Sequence, residues 1–151
     1  MILTREELAQ IQAQAVAEYP AECCGFVLVR AAGAPGRLLF PCRNVQNELH
    51  AKDPTEHPRD ARTAYSIHRH DLKTVFDLDR DGYRIAVIYH SHIDADAYFS
   101  EIDKGNALMN GEPKFPEAVY IVVSVKERRA VGAAAFRWDP AQSDFAPTEL
   151  G

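Results

Sequence analysis

Residues 85–103 constrain this chain more than any other stretch, because they join a strand-like apolar run to four polar residues at a restrictive spacing. Ile85, Ala86, Val87, Ile88 and Tyr89 are uninterrupted, which predicts a buried strand. His90 and His92 close that run; residues i and i+2 of a strand point to the same side, so two imidazoles can converge on one ion. After seven more residues Ser100 stands as the natural N-cap of a predicted helix, and Asp103 falls in its first turn, where the helix dipole favours a carboxylate. Two nitrogens and one carboxylate oxygen leave one position of a zinc tetrahedron open, the pattern of a catalytic site rather than a closed structural one. Ligand hardness agrees with zinc and ranks iron below it. Asp94, Asp96 and Glu101 are nearer the histidines in sequence and could each replace Asp103. Asp103 is preferred because it comes with Ser100 on a rigid helix turn.

The rest of the chain supplies the frame. Its 151 residues are the size of one domain with a real core. A formal charge of -5, with 17 basic residues in no dense cluster, argues against a nucleic-acid partner. No apolar run reaches membrane-span length and the start, MILTREELAQ, lacks a signal-peptide pattern; a cytoplasmic location is expected. Cys23, Cys24 and Cys42 are odd in number and lack C-x-x-C spacing, so reduced thiols are expected rather than disulfides or a cysteine zinc site.

In chain order, Thr4 with Glu7 makes a capping box for an amphipathic helix over 4–19, ended by Pro20. An apolar strand over 26–29 follows Glu22-Cys23-Cys24-Gly25, the turn AAGAPG spans 31–36, and 37–40 returns as a hairpin partner. Residues 44–62 are polar, contain Pro54 and Pro58 and show neither period, so they read as a long loop. A short strand over 64–67, a helix over 70–78 with Leu72, Val75 and Phe76 inward, and the 83–90 strand come next. A helix over 100–110, a loop over 112–116 and two closing strands, 118–125 and 130–138, complete the series. The tail, 139–151, is expected to be loosely anchored. One α/β domain over 1–138 follows, with α+β as the alternative.

Other candidates are weaker. His68 and His70 repeat the H-x-H spacing but lack a downstream S-x-x-D, so a solvated strand-to-helix junction is expected; His50 and His57 receive no role. A zinc site that hydrolyses needs a base, and Glu22 is best placed, just ahead of an apolar strand that can lie beside the His90 strand. Cys24, with no histidine tied to it, reads as a small buried thiol.

Together these residues resemble the JAMM, or MPN-plus, zinc metalloproteases: Glu22 upstream, then His90-Ser91-His92, seven residues, and Ser100-x-x-Asp103. YPAECCGFVL is similar to the family segment around its catalytic glutamate, and the likeness extends from Leu8 to Trp138, including Asn44-Val45 and the AYFS run. Ile93 stands where many members have proline. The resemblance implies a fold similar to cytidine deaminases, a mixed sheet flanked by helices; the deaminase P-C-x-x-C signature is absent, so that chemistry is not implied. It implies one Zn2+ on His90, His92 and Asp103, Glu22 as general base and Ser100 as oxyanion donor. The activity implied is hydrolysis of the amide after the C-terminal Gly-Gly of a ubiquitin-like or sulfur-carrier protein, with an associated E1-like adenylating enzyme as a further partner. Ser91, by strand alternation, should face away from the ligands and hold the strand end. The alternative is a non-catalytic MPN-type scaffold that binds a ubiquitin-like partner.

Overall fold

The structure, a computed structural model, describes residues 2–30 and 36–151. Helix α1 (Arg5–Glu18) begins at the expected capping box: Thr4 Oγ accepts from Glu7 N, and the Glu7 carboxylate accepts from Thr4 N, both at 3.0 Å. Ile11 and Ala15 are its buried apolar face. Strand β1 (Cys24–Arg30) pairs antiparallel with β2 (Arg37–Cys42), the expected hairpin, whose turn over 31–35 lies outside the described residues. Helix α2 (Gln46–Lys52) and helix α3 (Arg69–Arg80) precede strand β3 (Tyr83–Ile93). Helix α4 (Glu101–Ala107) leads into a two-stranded hairpin, β4 (Leu108–Met109) and β5 (Glu112–Pro113). Strands β6 (Val119–Lys126), β7 (Arg129–Asp139) and β8 (Asp144–Thr148) finish the chain.

The main sheet runs β2-β1-β3-β6-β7-β8; β3 and β6 are parallel and the other neighbours antiparallel. This is the mixed α/β domain expected from the sequence. Strand β3 lies between β1 and β6 and is covered on both faces, which is why its sequence is continuously apolar instead of alternating. On one face Val87, Tyr89, Ile121 and Val123 pack with Ile11 and Ala15 of α1. On the other, Cys24, Phe26, Ile88, Tyr120 and Val122 pack with Val75 of α3 and Ala107 of α4. Each fully buried aliphatic side chain there contributes about 1.5–3 kcal/mol, so the two helical layers are held by the sheet rather than by helix propensity.

Gly25 illustrates how tightly α1, β1 and β3 are fitted. It pairs with Tyr89, and any Cβ on it would overlap the Tyr89 ring. Only glycine lets the phenol cross β1 and reach Gln14 Oε1, to which it donates, while Gln14 Nε2 donates to Cys24 O at 3.1 Å.

Several expectations are corrected. The 44–62 segment contains α2, a short helix unmarked by an apolar stripe because Gln46 is its one buried residue. Residues 64–67 form no strand and make one isolated bridge, Asn44 to Ile67. Phe76 is 44% exposed rather than inward. The 100–110 helix stops at Ala107, where the chain turns into the β4–β5 hairpin. The tail from Asp139 adds β8 to the sheet edge, because Phe145 is buried against Phe99, Tyr120 and Trp138.

Candidate functional site

His90 and His92 emerge at the end of β3, on the face covered by α3 and α4. His90 pairs with Cys24 of β1 and Val122 of β6, and His92 with Ser124 of β6, so neighbours on both sides fix the backbone beneath the imidazoles. The His92 ring is oriented further by Nδ1, 2.9 Å from the Asp96 carbonyl. With Nδ1 donating to that carbonyl, Nε2 carries the lone pair and points at Asp103; such a second hydrogen bond is the usual device for presenting a histidine to a metal. Tyr65 stacks on His90 at 4.8 Å between centroids, and Tyr98 meets His92 edge-on at 4.8 Å.

Asp103 faces both rings: Oδ1 lies 3.2 Å from His90 Nε2, and Oδ2 lies 3.1 Å from His92 Nε2. Its position follows from the cap of α4. Ser100 Oγ accepts from Asp103 N and Asp103 Oδ2 accepts from Ser100 N, each at 3.0 Å, so the first turn locks the carboxylate as it forms. Burial opposes ionisation of Asp103, but the two imidazoles and the Ser100 amide outweigh it and hold the carboxyl well below the ordinary carboxylate range.

A ligand atom from each of His90, His92 and Asp103 lies within 4.8 Å of the others. His90 is fully buried; among the described residues its Nδ1 has no hydrogen-bond partner, and its Nε2 meets only the Asp103 carboxylate, 3.2 Å away but out of hydrogen-bond alignment. A buried polar atom left without a partner costs about 1–3 kcal/mol, and a cation at the convergence point would remove that cost for Nε2. The residues therefore fit a metal ion, and two imidazoles with a carboxylate are a donor set suited to zinc.

Glu22 reaches this face through the β1–β3 register. Ser91 N donates to Cys23 O at 3.1 Å and Cys23 N donates to Ser91 Oγ at 2.7 Å, which extends the Cys24–His90 pairing by one residue. Continuing the same alternation by one more residue puts Glu22 on the side of both imidazoles, where the Asp103 charge acts on it. Ser91 itself is fully buried and turned to the opposite side, tying the Glu22 segment to the strand that carries the histidines. Glu22 is 5% exposed; burial pushes its pKa up to about 9, the negative charge of Asp103 adds to the rise, and Arg59 opposes it. The segment is held from behind by Asn44, whose Nδ2 donates to Glu22 O at 2.8 Å, and by Glu22 N, which donates to Ala61 O at 2.7 Å.

The alternative ligands are committed elsewhere. The Asp94 carboxylate accepts from Tyr19 Oη at 2.8 Å and from Glu127 N at 2.9 Å, while Asp96 pairs with Lys126 at 2.6 Å. The Glu101 side chain is 93% exposed. His68 is the N-cap of α3, its Nδ1 accepting from His70 N at 3.1 Å beside the Arg43–Asp71 ion pair, as expected for a solvated junction. His50 Nδ1 lies 2.7 Å from His57 O, inside the 44–62 segment. All three cysteines are free and buried; burial pushes the Cys23 and Cys42 thiols up to about 12 and Cys24 further still, so a nucleophilic thiolate is disfavoured. Tyr98 lies in the AYFS run, whereas Tyr65 and Arg59 stand singly in irregular segments and carry no periodic signal in the sequence.

Beside Asp103 opens a cavity of about 700 Å³ whose walls include Phe26, Tyr65, Ile88, Ala107 and Tyr120. Among the described residues, no helix is long and apolar enough to cross a membrane.

Comparison with known proteins identifies the family and the fold. Residues 4–139 match the family described as prokaryotic homologs of the JAB domain. Tail tip assembly protein K of Escherichia phage N15 is 35% identical over 102 residues, covering 68% of this chain; the chain spans 34% of that protein's length. A solution structure of a protein from Desulfitobacterium hafniense has a TM-score of 0.64 at 20% identity, and one from Salinibacter ruber 0.61 at 24%. Each comparison covers 97% of this chain and 88% of the other; at these identities they establish a shared fold. With its Glu22 segment, its His-x-His strand end and its Ser-capped Asp103 all inside the matched region, this chain belongs to the prokaryotic homologs of the JAB domain.

Proposed function

We propose that this protein is a zinc-dependent peptidase. The observation that carries the reading is the convergence of His90, His92 and Asp103 ligand atoms within 4.8 Å, with Nε2 of a fully buried His90 facing, among the described residues, only the Asp103 carboxylate. Zinc held there supplies Lewis-acid polarisation and acidifies water toward neutral pH. With a cation on the three ligands offsetting the burial and the Asp103 charge that raise its pKa, Glu22 would be ionised, accept the proton of the attacking water and return it to the leaving amine. Ser100 Oγ already accepts from Asp103 N, which leaves its O–H to donate to the carbonyl oxygen as that oxygen gains charge. His92, fixed by the Asp96 carbonyl, and Asp103, fixed by the Ser100 amide, need no rearrangement during the reaction.

The substrate class rests on the JAMM resemblance: a ubiquitin-like or sulfur-carrier protein cleaved after its C-terminal Gly-Gly in the cytoplasm, its body resting against the 46–62 segment. A diglycine tail can enter a narrow site extended and without side-chain collision. The phage relative, whose name places it in tail tip assembly, favours a second reading, in which the same chemistry trims a structural polypeptide during assembly. A purely scaffolding role leaves the ligand convergence and the buried Glu22 without a use.

Zinc-loaded protein incubated with fusions carrying Gly-Gly or Ala-Ala before the scissile amide, read by mass spectrometry, tests both levels. Faster cleavage at Gly-Gly supports the ubiquitin-like reading, and equal rates leave a peptidase of other specificity. Glu22→Gln should retain zinc and lose about 10²-fold or more in kcat/KM; full activity in that variant would move the base elsewhere.

A further inference from the structure

The cavity beside Asp103 is larger than the proposed reaction needs. At about 700 Å³ it falls among pockets that enclose a ligand, and Asp103 forms part of its wall, so whatever fills it lies next to the metal ligands. Its inner wall is apolar: Phe26, Tyr65, Ile67, Ile88, Ala107 and Tyr120. A second observation points the same way. Five large hydrophobic residues are exposed on the described surface, and three of them, Phe76 (44%), Ile102 (39%) and Met109 (64%), line this one cavity. Exposed apolar residues scattered singly mean little, whereas their gathering at one concave site marks a contact surface. The same lining includes Arg59 and Lys114, both exposed and in no ion pair among the described residues, against a single exposed acid, Glu56. On a chain of net charge -5, two unpaired cations at an apolar pocket favour an anionic neighbour to an apolar group.

We propose that this cavity is a specificity subsite that takes a bulky apolar side chain of a polypeptide substrate, with an acidic residue next to it facing Arg59 and Lys114. The proposal rests on the peptidase reading and deepens it: the enzyme selects its chain by an apolar-acidic pair near the scissile bond, in addition to any small residues at the bond itself. Phe76 and Met109 are its rim, and their exposure lets them be changed without disturbing the core.

The test uses the full-length zinc-loaded protein carrying Glu22→Gln, so that binding is measured without turnover. Ac-Phe-Glu-NH2, Ac-Gly-Glu-NH2 and Ac-Phe-Lys-NH2 are titrated, with amide and methyl chemical shifts as the readout. The expected result is affinity at least about 10-fold higher for Phe-Glu than for Gly-Glu, and several-fold higher than for Phe-Lys, with shifts at Ile67, Ala107 and Met109. Adding Phe76→Ser and Met109→Ser should abolish the Phe preference at unchanged melting temperature, and Arg59→Gln together with Lys114→Gln should abolish only the Glu preference. Equal affinity for Phe-Glu and Gly-Glu, or a Phe preference that survives both serine substitutions, overturns the proposal. The selectivity appearing in a parent protein that cleaves no amide would overturn the peptidase reading and leave the subsite standing.

Discussion

Ser91→Ala separates what the middle residue of the His-Ser-His sequence does from what its neighbours do. Ser91 is fully buried, and its Oγ accepts from Cys23 N at 2.7 Å. Removing the acceptor leaves an amide that water cannot reach, at about 1–3 kcal/mol; for a domain of this length the melting temperature falls by about 2–4 °C per kcal/mol. Because the Ser91 side chain faces away from the ligands, zinc affinity should stay near that of the parent. The hydrogen bond also holds the chain one residue from Glu22, so the second expected effect is a misplaced base: kcat/KM should fall by up to about 10²-fold, the scale associated with displacements near 1 Å. Urea denaturation gives the first quantity, competition with a chelating dye the zinc affinity, and cleavage of a fusion substrate the third. A cycle with Glu22→Gln is decisive, since a variant acting through Glu22 should cost little once that base is gone. A stability loss below about 0.5 kcal/mol, the range of an ordinary surface change, or an undiminished activity loss in the Glu22→Gln background, would refute the reasoning.

Asp103→Ala should abolish tight zinc binding, measured by elemental analysis after dialysis, and also remove the side-chain half of the α4 capping box; zinc content equal to the parent would overturn the ligand assignment. Gly25→Ala must displace the buried Tyr89 ring and break its hydrogen bond to Gln14, a loss of about 2–4 kcal/mol in urea titration from overpacking and the lost bond together. Arg37 holds Glu7 below its usual 4.5 through two contacts of 2.6 and 2.9 Å. A depressed carboxylate pKa stabilises the fold above the unfolded value and loses that contribution as pH falls through the folded one. Stability should therefore decline with acid below about pH 4.5, and less steeply in Arg37→Gln; identical acid limbs would exclude the pair as a contributor.

The elements that sequence alone determined are those whose signal is local. The Thr4 capping box, the apolar run into His90 and the Ser100–Asp103 turn depend on residues within five positions of one another, so spacing along the chain already states their geometry. That Ser91 faces away from the ligands was legible for the same reason, since alternation along a strand needs no partner. Tertiary structure decided everything that depends on which strands are neighbours. The Cys24–His90 register, and with it the approach of Glu22 to the Asp103 charge, arises from pairing across 66 positions, a distance that leaves no mark in composition. Asp94 and Asp96 were separated from Asp103 only by their partners Tyr19, Glu127 and Lys126, contributed by remote segments. Strand β8 and helix α2 were invisible for a related reason: β8 is anchored chiefly by Phe145 and α2 by Gln46, whose Nε2 donates to Arg59 O and whose Oε1 accepts from Ser66. One anchoring contact makes no period. The cavity beside Asp103, assembled from residues between Phe26 and Tyr120, exists only because the folded sheet brings those segments to one face.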